Sequence, residues 1–156
     1  GQDISSIDSI QFDHVYFKYG DDSVLNDLSF TLKAGDIVYI SGDNGSGKTT
    51  ILMLIMRFIN PSSGKIYING IDISKISKES LRDNISYANQ LPLLLEGSSE
   101  FNVSLGSKKS NHGNLHSTLK KYGVAEFSIR EDGNNLSGGQ KQKIGIARID
   151  FQNRDL

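Results

Sequence analysis

The sequence predicts an α/β fold, and two observations lead to this prediction. Residues 42–50 fit the pattern G-x-x-x-x-G-K-[ST] at every fixed position. Residues 36–40 before them are apolar and rich in β-forming residues, whereas residues 51–56 after them form an apolar run of helical character. The order strand, glycine loop, helix is the context in which this pattern marks a phosphate-binding loop rather than a chance glycine-rich turn.

The region before the loop predicts two strands. Residues 1–9 are polar and rich in serine, which predicts a linker or a disordered lead-in before a domain that starts at residue 10. Residues 10–17 begin with alternating apolar and polar residues and are rich in β-forming types, and residues 28–32 alternate again. This period of two is typical of β-strands.

Turn and breaker residues divide the stretch after the loop. A proline and a glycine predict that the helix after the loop ends near residues 60–64. Residues 65–73 predict a short strand, a turn at an Asn-Gly pair and a returning strand. Ser77, or alternatively Ser80, is expected to cap a short helix that follows.

The pattern weakens toward the C-terminal half. Residues 85–88 predict a short buried strand, and residues 115–122 predict a helix. Residues 130–135 are predicted to form a polar loop, which leads into a basic helix at residues 141–148.

Composition argues against several classes of protein. The formal net charge is −1, so a broad polyanion-binding surface is not expected and nucleic acid is not a predicted partner. The chain has no cysteine, which excludes disulfides and thiolate metal sites and fits a reducing, cytosolic setting. No apolar run approaches the roughly 18 residues of a membrane span. Residues 1–6 have neither the basic region nor the apolar core of a signal peptide.

The loop has the chemistry of a nucleotide phosphate site. Its glycines let backbone N–H groups turn toward phosphate oxygens, and the following helix directs its positive end at the same anion. Lys48 is expected to reach the β- and γ-phosphates, and the Thr49 hydroxyl is expected to ligate Mg²⁺. The candidate nucleotide-binding residues of the loop are Gly42, Asn44, Gly45, Ser46, Gly47, Lys48, Thr49 and Thr50.

A second glycine pair lies in Leu136-Ser137-Gly138-Gly139-Gln140, at the start of the basic helix. A serine and two glycines at a helix start can form a smaller anion-binding nest, although S-G-G alone is a common loop. Together with the phosphate loop, this stretch resembles the LSGGQ signature of the ATP-binding cassette (ABC) ATPase family. The resemblance runs from about residue 10 to the end. Residues 24–36, 57–66, 69–73 and 80–82 look like the exporter branch of the family.

The resemblance implies a P-loop NTPase fold with an N-terminal antiparallel β-subdomain, a RecA-like core and a small helical subdomain at about residues 91–140. It implies that Tyr19 stacks on adenine and that Val24 packs beside the nucleoside. It also implies that Gln90 contacts Mg²⁺ or the attacking water. Without the resemblance, Tyr19 would be interpreted as a half-exposed strand residue, and Gln90 would carry no information.

The family geometry implies a motor that works in pairs. In a head-to-tail homodimer or heterodimer, the phosphate loop of one domain and Ser137, Gly138, Gly139 and Gln140 of the second domain enclose ATP with Mg²⁺. Dimerisation driven by ATP is then coupled to the transmembrane domains of an exporter, at the cytoplasmic face of the membrane. These domains are expected to dock near residues 97–103, where Phe101 replaces the family's acidic residue.

The chain departs from the family pattern after the signature. The Walker B aspartate, which holds Mg²⁺, and the catalytic glutamate after it have no counterpart in the sequence, which ends with residues 151–156. The sequence therefore predicts a nucleotide-binding domain that lacks the C-terminal part of its core, binds Mg-ATP weakly and hydrolyses it poorly. The alternatives are a non-hydrolysing nucleotide-binding or regulatory module and an inactive truncated paralogue. A P-loop kinase or GTPase is disfavoured by the LSGGQ sequence and by the lack of an N-K-x-D sequence.

Overall fold

The computed structural model describes residues 1–89, 92–107 and 112–152, which divide into one unit up to Ile85 and one from Ser86 onward. The helices and strands of the first unit are β1 (Ser9–Tyr19), β2 (Asp22–Lys33), α1 (Lys48–Ile55), β3 (Ser63–Ile68), β4 (Ile71–Asp72) and α2 (Lys78–Asp83). Those of the second unit are β5 (Gly97–Ser98), α3 (Ser99–Ser104), α4 (His112–Tyr122), β6 (Ser128–Ile129) and α5 (Gly138–Gln152). Within these described ranges, no helix has the length and apolar character needed to cross a bilayer.

The first unit is built on a four-stranded antiparallel sheet in the order β2-β1-β3-β4. The strands predicted at residues 10–17, 28–32 and 65–73 are confirmed, because they lie within β1, β2 and the β3–β4 hairpin. The hairpin turn is formed by Asn69 and Gly70, whose φ angles are 52° and 75°. Positive φ at both central residues is what a type I′ hairpin turn requires, and the Asn-Gly pair supplies it.

A bulge in β1 changes which side chains face the core. Even-numbered residues are buried up to Phe12, and odd-numbered residues are buried from Val15 onward. The change occurs at His14, which has a φ of 47°, and β2 has a matching irregularity at Asp27, with a φ of 53°. His14 Nδ1 and Asp27 Oδ1 lie 2.6 Å apart. This hydrogen bond, together with the carboxylate charge, raises the pKa of His14 above its ordinary value.

The core of the first unit joins the sheet to both helices. Its large buried side chains include Leu54 from α1 and Leu81 from α2. Other fully buried members, from the strands and from the segment before α2, include Ile10, Phe12, Val15, Ile66, Ile68 and Ile76. Burial of Leu54 fixes the helix that follows the phosphate loop against the sheet, so the loop has a rigid support on one side.

Two predicted strands, at residues 36–40 and 85–88, are absent. Both stretches lack regular secondary structure. Ile37 is 101% exposed and Tyr39 is 89% exposed, although their apolar run predicted a strand. The predictions are wrong because a strand needs a neighbour for its backbone hydrogen bonds, and no segment in the described part of the chain pairs with either stretch.

The N-terminal residues pack on the first unit. Gln2 forms a parallel bridge with Ile76. Ile4 N donates to Ser80 Oγ at 2.8 Å, and Ser80 Oγ donates to Ile4 O at 2.9 Å. Ser80 therefore fixes the N-terminal segment, while Ser77 caps α2 by accepting from Ser80 N at 3.1 Å. The predicted disorder is not observed here, because these backbone groups have partners within the unit.

The second unit is mainly helical. Helices α3, α4 and α5 enclose a core whose buried apolar residues are Leu94, Val103, Leu119, Val124, Ile129, Ile144, Ala147 and Phe151. The helices predicted at residues 115–122 and 141–148 are confirmed as parts of α4 and α5. An ion pair of 3.0 Å between Lys121 Nζ and Asp150 Oδ2 also joins α4 to α5.

Candidate functional site

The phosphate-loop pattern folds into a turn that holds its own lysine. Lys48 Nζ donates to the main-chain carbonyls of Gly42 and Asp43, at 2.6 Å in each case. It also lies 3.4 Å from Ser46 Oγ. The ammonium group is thus held inside the loop by weakly basic neutral acceptors. Phosphate oxygens are stronger, charged acceptors, and they can replace these carbonyls.

Gly47 brings the loop against the start of β2. Its φ is 90°, and an added Cβ would lie 2.8 Å from Leu25 Cδ2 and 2.9 Å from Val24 Cγ1. Any larger residue would need both a left-handed backbone and displaced neighbours, so glycine is required for this approach. Val24 therefore lies beside the loop, and its contact with a nucleoside stays a prediction.

Tyr19 lies at the end of β1, next to the helix that follows the loop. Its hydroxyl is 3.9 Å from Met53 Sδ on α1. Its ring packs edge-on against Phe17, with the centroids 4.8 Å apart, and 50% of the residue is exposed. A supported and half-exposed ring beside a phosphate loop is suited to stacking on a base.

The N-terminus of α1 is free to receive an anion. Its N-cap, Gly47, has no side chain to accept from the first-turn N–H groups, and no acidic residue lies in that turn. Thr49 is exposed on the first turn, whereas Thr50 is buried. These features and the Lys48 ammonium fit a phosphate group. In the described ranges no cluster of three or more His, Asp or Glu side chains could hold a metal ion.

In the second unit, the signature sequence begins α5 with a reciprocal cap. Gln140 N donates to Ser137 Oγ at 3.2 Å, and Ser137 N donates to Gln140 Oε1 at 2.8 Å. This is a capping box, in which the third helical residue returns the bond that its N-cap makes. The Ser137 hydroxyl accepts one bond in this arrangement and keeps its own hydrogen for an external acceptor.

The two glycines of the signature leave open space in front of the helix. A Cβ added to Gly138 or Gly139 would meet nothing within 4 Å, and both residues are exposed. The helix start is further braced by Lys141 Nζ, which donates to Asp132 O at 3.1 Å. The backbone of the glycine pair is therefore accessible to a large anion, on a helix end that is already ordered.

Gln140 stabilises the start of α5 by accepting a hydrogen bond from Ser137 N. Two substitutions test this role, because one keeps the acceptor and the other removes it. Gln140→Glu keeps an acceptor for Ser137 N, so we expect it to change the free energy of unfolding by less than about 0.5 kcal/mol. Gln140→Met removes the acceptor, and we expect a loss of about 1 kcal/mol. Urea denaturation followed by far-UV circular dichroism measures both. Equal losses in the two variants would contradict the assigned role.

The predicted site residues thus fall into two groups. Tyr19, Val24 and the loop that contains Lys48 come together in the first unit. Ser137 to Gln140 lie together at the start of α5 in the second unit. Gln90 lies outside the described residues. Sequence reasoning missed Asn135, which accepts from Arg130 N at 2.9 Å and donates to Ser128 O at 2.7 Å, and so shapes the loop before the signature.

Comparison with known proteins gives a consistent result. A family model described as ABC transporter matches residues 25–156. A probable ABC transporter ATP-binding/permease protein of Haemophilus influenzae is 37% identical, over 99% of this chain and 30% of that protein. The mycobactin import ATP-binding/permease protein IrtB of Mycolicibacterium thermoresistibile is also 37% identical, over 90% of this chain and 26% of that protein.

A solved structure has the same fold. The structure of a bacterial Atm1-family ABC exporter with ATP bound matches with a TM-score of 0.89 and 31% sequence identity. The match covers 98% of this chain and 29% of that chain. The chain therefore spans less than a third of the length of these relatives.

Proposed function

This chain belongs to the ABC transporter family, with the P-loop NTPase fold of an exporter nucleotide-binding domain, and on this premise we propose that it is an ATP-binding and ATP-hydrolysing motor domain. The observation that carries the proposal is the position of Lys48, whose ammonium lies inside a glycine loop at 2.6 Å from two carbonyls. Bound ATP with Mg²⁺ supplies the phosphoanhydride bond whose hydrolysis drives such a motor.

Each residue of the loop has a physical task in this proposal. Lys48 gives up the carbonyls of Gly42 and Asp43 and donates to the β- and γ-phosphates. The Thr49 hydroxyl becomes a ligand of Mg²⁺, and the first-turn N–H groups of α1 face the same phosphates. Tyr19 stacks on the adenine ring, and Val24 packs beside the sugar.

The signature sequence serves the nucleotide of a second domain. Ser137 donates its free hydroxyl hydrogen to a phosphate oxygen, and Gly138 and Gly139 present their backbone to the same group. The nucleotide then joins two domains head to tail, as a homodimer or a heterodimer, because each domain supplies only part of the cage. ATP binding favours the pair, and hydrolysis releases it.

The length of the relatives supports a membrane-bound partner. Both relatives described above are named as ATP-binding/permease proteins, and this chain matches 30% or less of each. We therefore place the domain at the cytoplasmic face of a membrane, coupled to the transmembrane domains of an exporter. Phe101, 46% exposed on α3, lies on the surface where we expect those domains to dock.

Release of inorganic phosphate from Mg-ATP tests the proposed turnover directly. A motor releases phosphate in proportion to its concentration of paired domains, whereas a domain that only binds ATP releases none above the rate in buffer.

Tyr19 provides the test of the nucleotide site itself. Tyr19→Ala should weaken Mg-ATP binding by about 5- to 150-fold, because stacking on a base contributes about 1–3 kcal/mol. Tyr19→Phe keeps the ring and should bind Mg-ATP almost as tightly as the parent chain. Isothermal titration calorimetry with Mg-ATP measures both affinities. The site assignment fails if the alanine variant binds as tightly as the phenylalanine variant.

A further inference from the structure

One face of α5 is fastened to the segment formed by residues 92–105. Gly145, Arg148 and Gln152 follow each other at intervals of three and four residues, so they lie on the same face of the helix. A Cβ added to Gly145 would lie 3.0 Å from Pro92 Cβ, which shows how closely the Pro92 ring approaches the backbone of α5. At the other end of the face, Gln152 Nε2 donates to Leu105 O at 2.9 Å.

Arg148 makes the central contact of this face. Its Nε donates to Asn102 O at 2.8 Å, and one terminal nitrogen donates to Leu93 O at 2.9 Å. The planar guanidinium thus joins two carbonyls that are nine positions apart in sequence. Burial lowers the pKa of Arg148, yet the group stays charged, so the two carbonyls offset part of its lost hydration.

Asn102 extends the connection to the rest of the segment. It is fully buried, and its side chain accepts from Leu95 N at 2.9 Å. The same amide donates to Leu95 O at 2.8 Å and to Ser98 O at 3.1 Å. Arg148 therefore holds the main chain of Asn102, and the side chain of Asn102 holds the backbone of the preceding turn. Helix α5 and residues 92–105 are linked by polar groups that have few alternative partners.

We propose that Arg148 is a positioning residue that makes helix α5 and residues 92–105 move as one body. The signature sequence lies at the N-terminal end of α5, and Phe101 lies on the linked segment. When a nucleotide contact at Ser137 to Gly139 moves α5, the surface around Phe101 therefore moves with it. The effect of the nucleotide rests on the proposed function, because it needs the nucleotide to contact the signature sequence. The attachment of residues 92–105 to α5 by Arg148 does not depend on that function.

The test is hydrogen–deuterium exchange on the full chain, with and without Mg-ATP. Arg148→Met removes both hydrogen bonds at similar volume, and Arg148→Lys keeps the charge without the planar fork. Arg130→Met is the matched control, since Arg130 is an exposed arginine of the same unit and the substitution keeps the backbone N–H that donates to Asn135. Gln152→Met removes the bond to Leu105 O but keeps the bonds from Arg148 to the carbonyls of Leu93 and Asn102. It should also speed the exchange of residues 92–105, which keeps the test available if Arg148→Met fails to fold.

Without nucleotide, amides of residues 92–105 should exchange about tenfold faster in Arg148→Met than in the parent chain, and at intermediate rates in Arg148→Lys. The control should not differ from the parent. With Mg-ATP, the parent should gain protection at both residues 137–140 and residues 92–105. Arg148→Met should keep the first gain and lose the second.

The proposal is overturned if Arg148→Met leaves the exchange of residues 92–105 unchanged, or if Mg-ATP protects this segment equally in parent and variant. Failure of the proposed function has a different signature. In that case Mg-ATP protects neither region of the parent chain, while the nucleotide-free comparison still decides whether Arg148 fastens the segment.

Discussion

Replacing Lys48 by alanine is expected to lower the affinity for Mg-ATP by about 100-fold or more. Its ammonium lies 2.6 Å from the carbonyls of Gly42 and Asp43, at the point where phosphate oxygens would enter. A hydrogen bond to a charged group contributes about 1.5–3 kcal/mol, and two such bonds to phosphates exceed a factor of 100. The alanine side chain supplies neither the donors nor the charge.

Two control variants make the Lys48 result specific. Lys33→Ala removes a positive charge from an exposed site on β2, and it should leave Mg-ATP affinity within about twofold, because exposed charges at a distance are screened. Lys48→Arg keeps the charge but replaces a compact ammonium by a planar fork, and it should still bind poorly. Calorimetric titration decides the matter. Undiminished binding by Lys48→Ala would reject the phosphate-loop assignment.

Local sequence patterns were sufficient to predict most of the first sheet. The alternation at the start of residues 10–17 and the Asn69-Gly70 turn depend on neighbours in sequence, so they can be predicted without knowledge of the tertiary structure. The bulge at His14 could not be predicted in this way. It shifts the buried face of β1 by one residue, and it is paired with an irregularity at Asp27 of β2, which is distant in sequence.

The two predicted strands that the structure lacks show where local sequence patterns are insufficient. Residues 36–40 have strong β propensity, but propensity cannot supply the hydrogen-bonding neighbour on which a strand depends. Ile37 is fully exposed as a result. Burial and pairing are properties of the whole described fold, so an apolar run by itself predicts only that a segment is suited to a sheet.

The candidate site also has features that the sequence predicted and features that it did not. Residue types and spacing predicted Lys48 as a site residue, because glycines and a lysine at fixed intervals carry the chemistry, whereas the Ser137–Gln140 stretch was predicted from its resemblance to the family signature. The partners of these residues were not predictable. The reciprocal bonds of Ser137 and Gln140, and the hold of Arg148 on the carbonyl of Asn102, depend on geometry that no short pattern records.

Gly64→Ala is expected to have the largest effect on folding. Gly64 has a φ of 80°, and an added Cβ would lie 2.1 Å from His14 O and 2.7 Å from Asp13 O. These are backbone atoms of the β1 bulge, which cannot swing aside as a side chain can. The left-handed backbone costs about 1–2 kcal/mol and overpacking about 1–3 kcal/mol more, so we expect a loss of about 3 kcal/mol or greater.

Gly70→Ala is the matched control for this substitution. Gly70 has a similar φ of 75° and lies at the other end of β3, but a Cβ there would meet nothing within 4 Å. It should therefore cost only the left-handed term of about 1–2 kcal/mol. Urea denaturation followed by far-UV circular dichroism gives both free energies of unfolding. Similar losses would mean that backbone conformation alone, rather than the approach of β3 to the bulge, makes glycine necessary at position 64.

The pKa of His14 tests whether Gly64→Ala changes the structure of the neighbouring β1 bulge. Its pKa lies above the ordinary value, first because of the hydrogen bond to Asp27 and then because of that carboxylate's charge. A raised pKa means that the pair stabilises the fold below the ordinary histidine pKa and that this contribution fades as pH rises through the folded-state value.

If alanine at position 64 pushes the bulge apart, an NMR titration should show the His14 pKa returning toward its ordinary value. In Gly70→Ala the bulge is untouched, so the pKa should stay raised. A raised pKa in both variants, with Gly64→Ala still strongly destabilised, would show that the clash is relieved elsewhere in β3 and that the bulge is more rigid than the hairpin it adjoins.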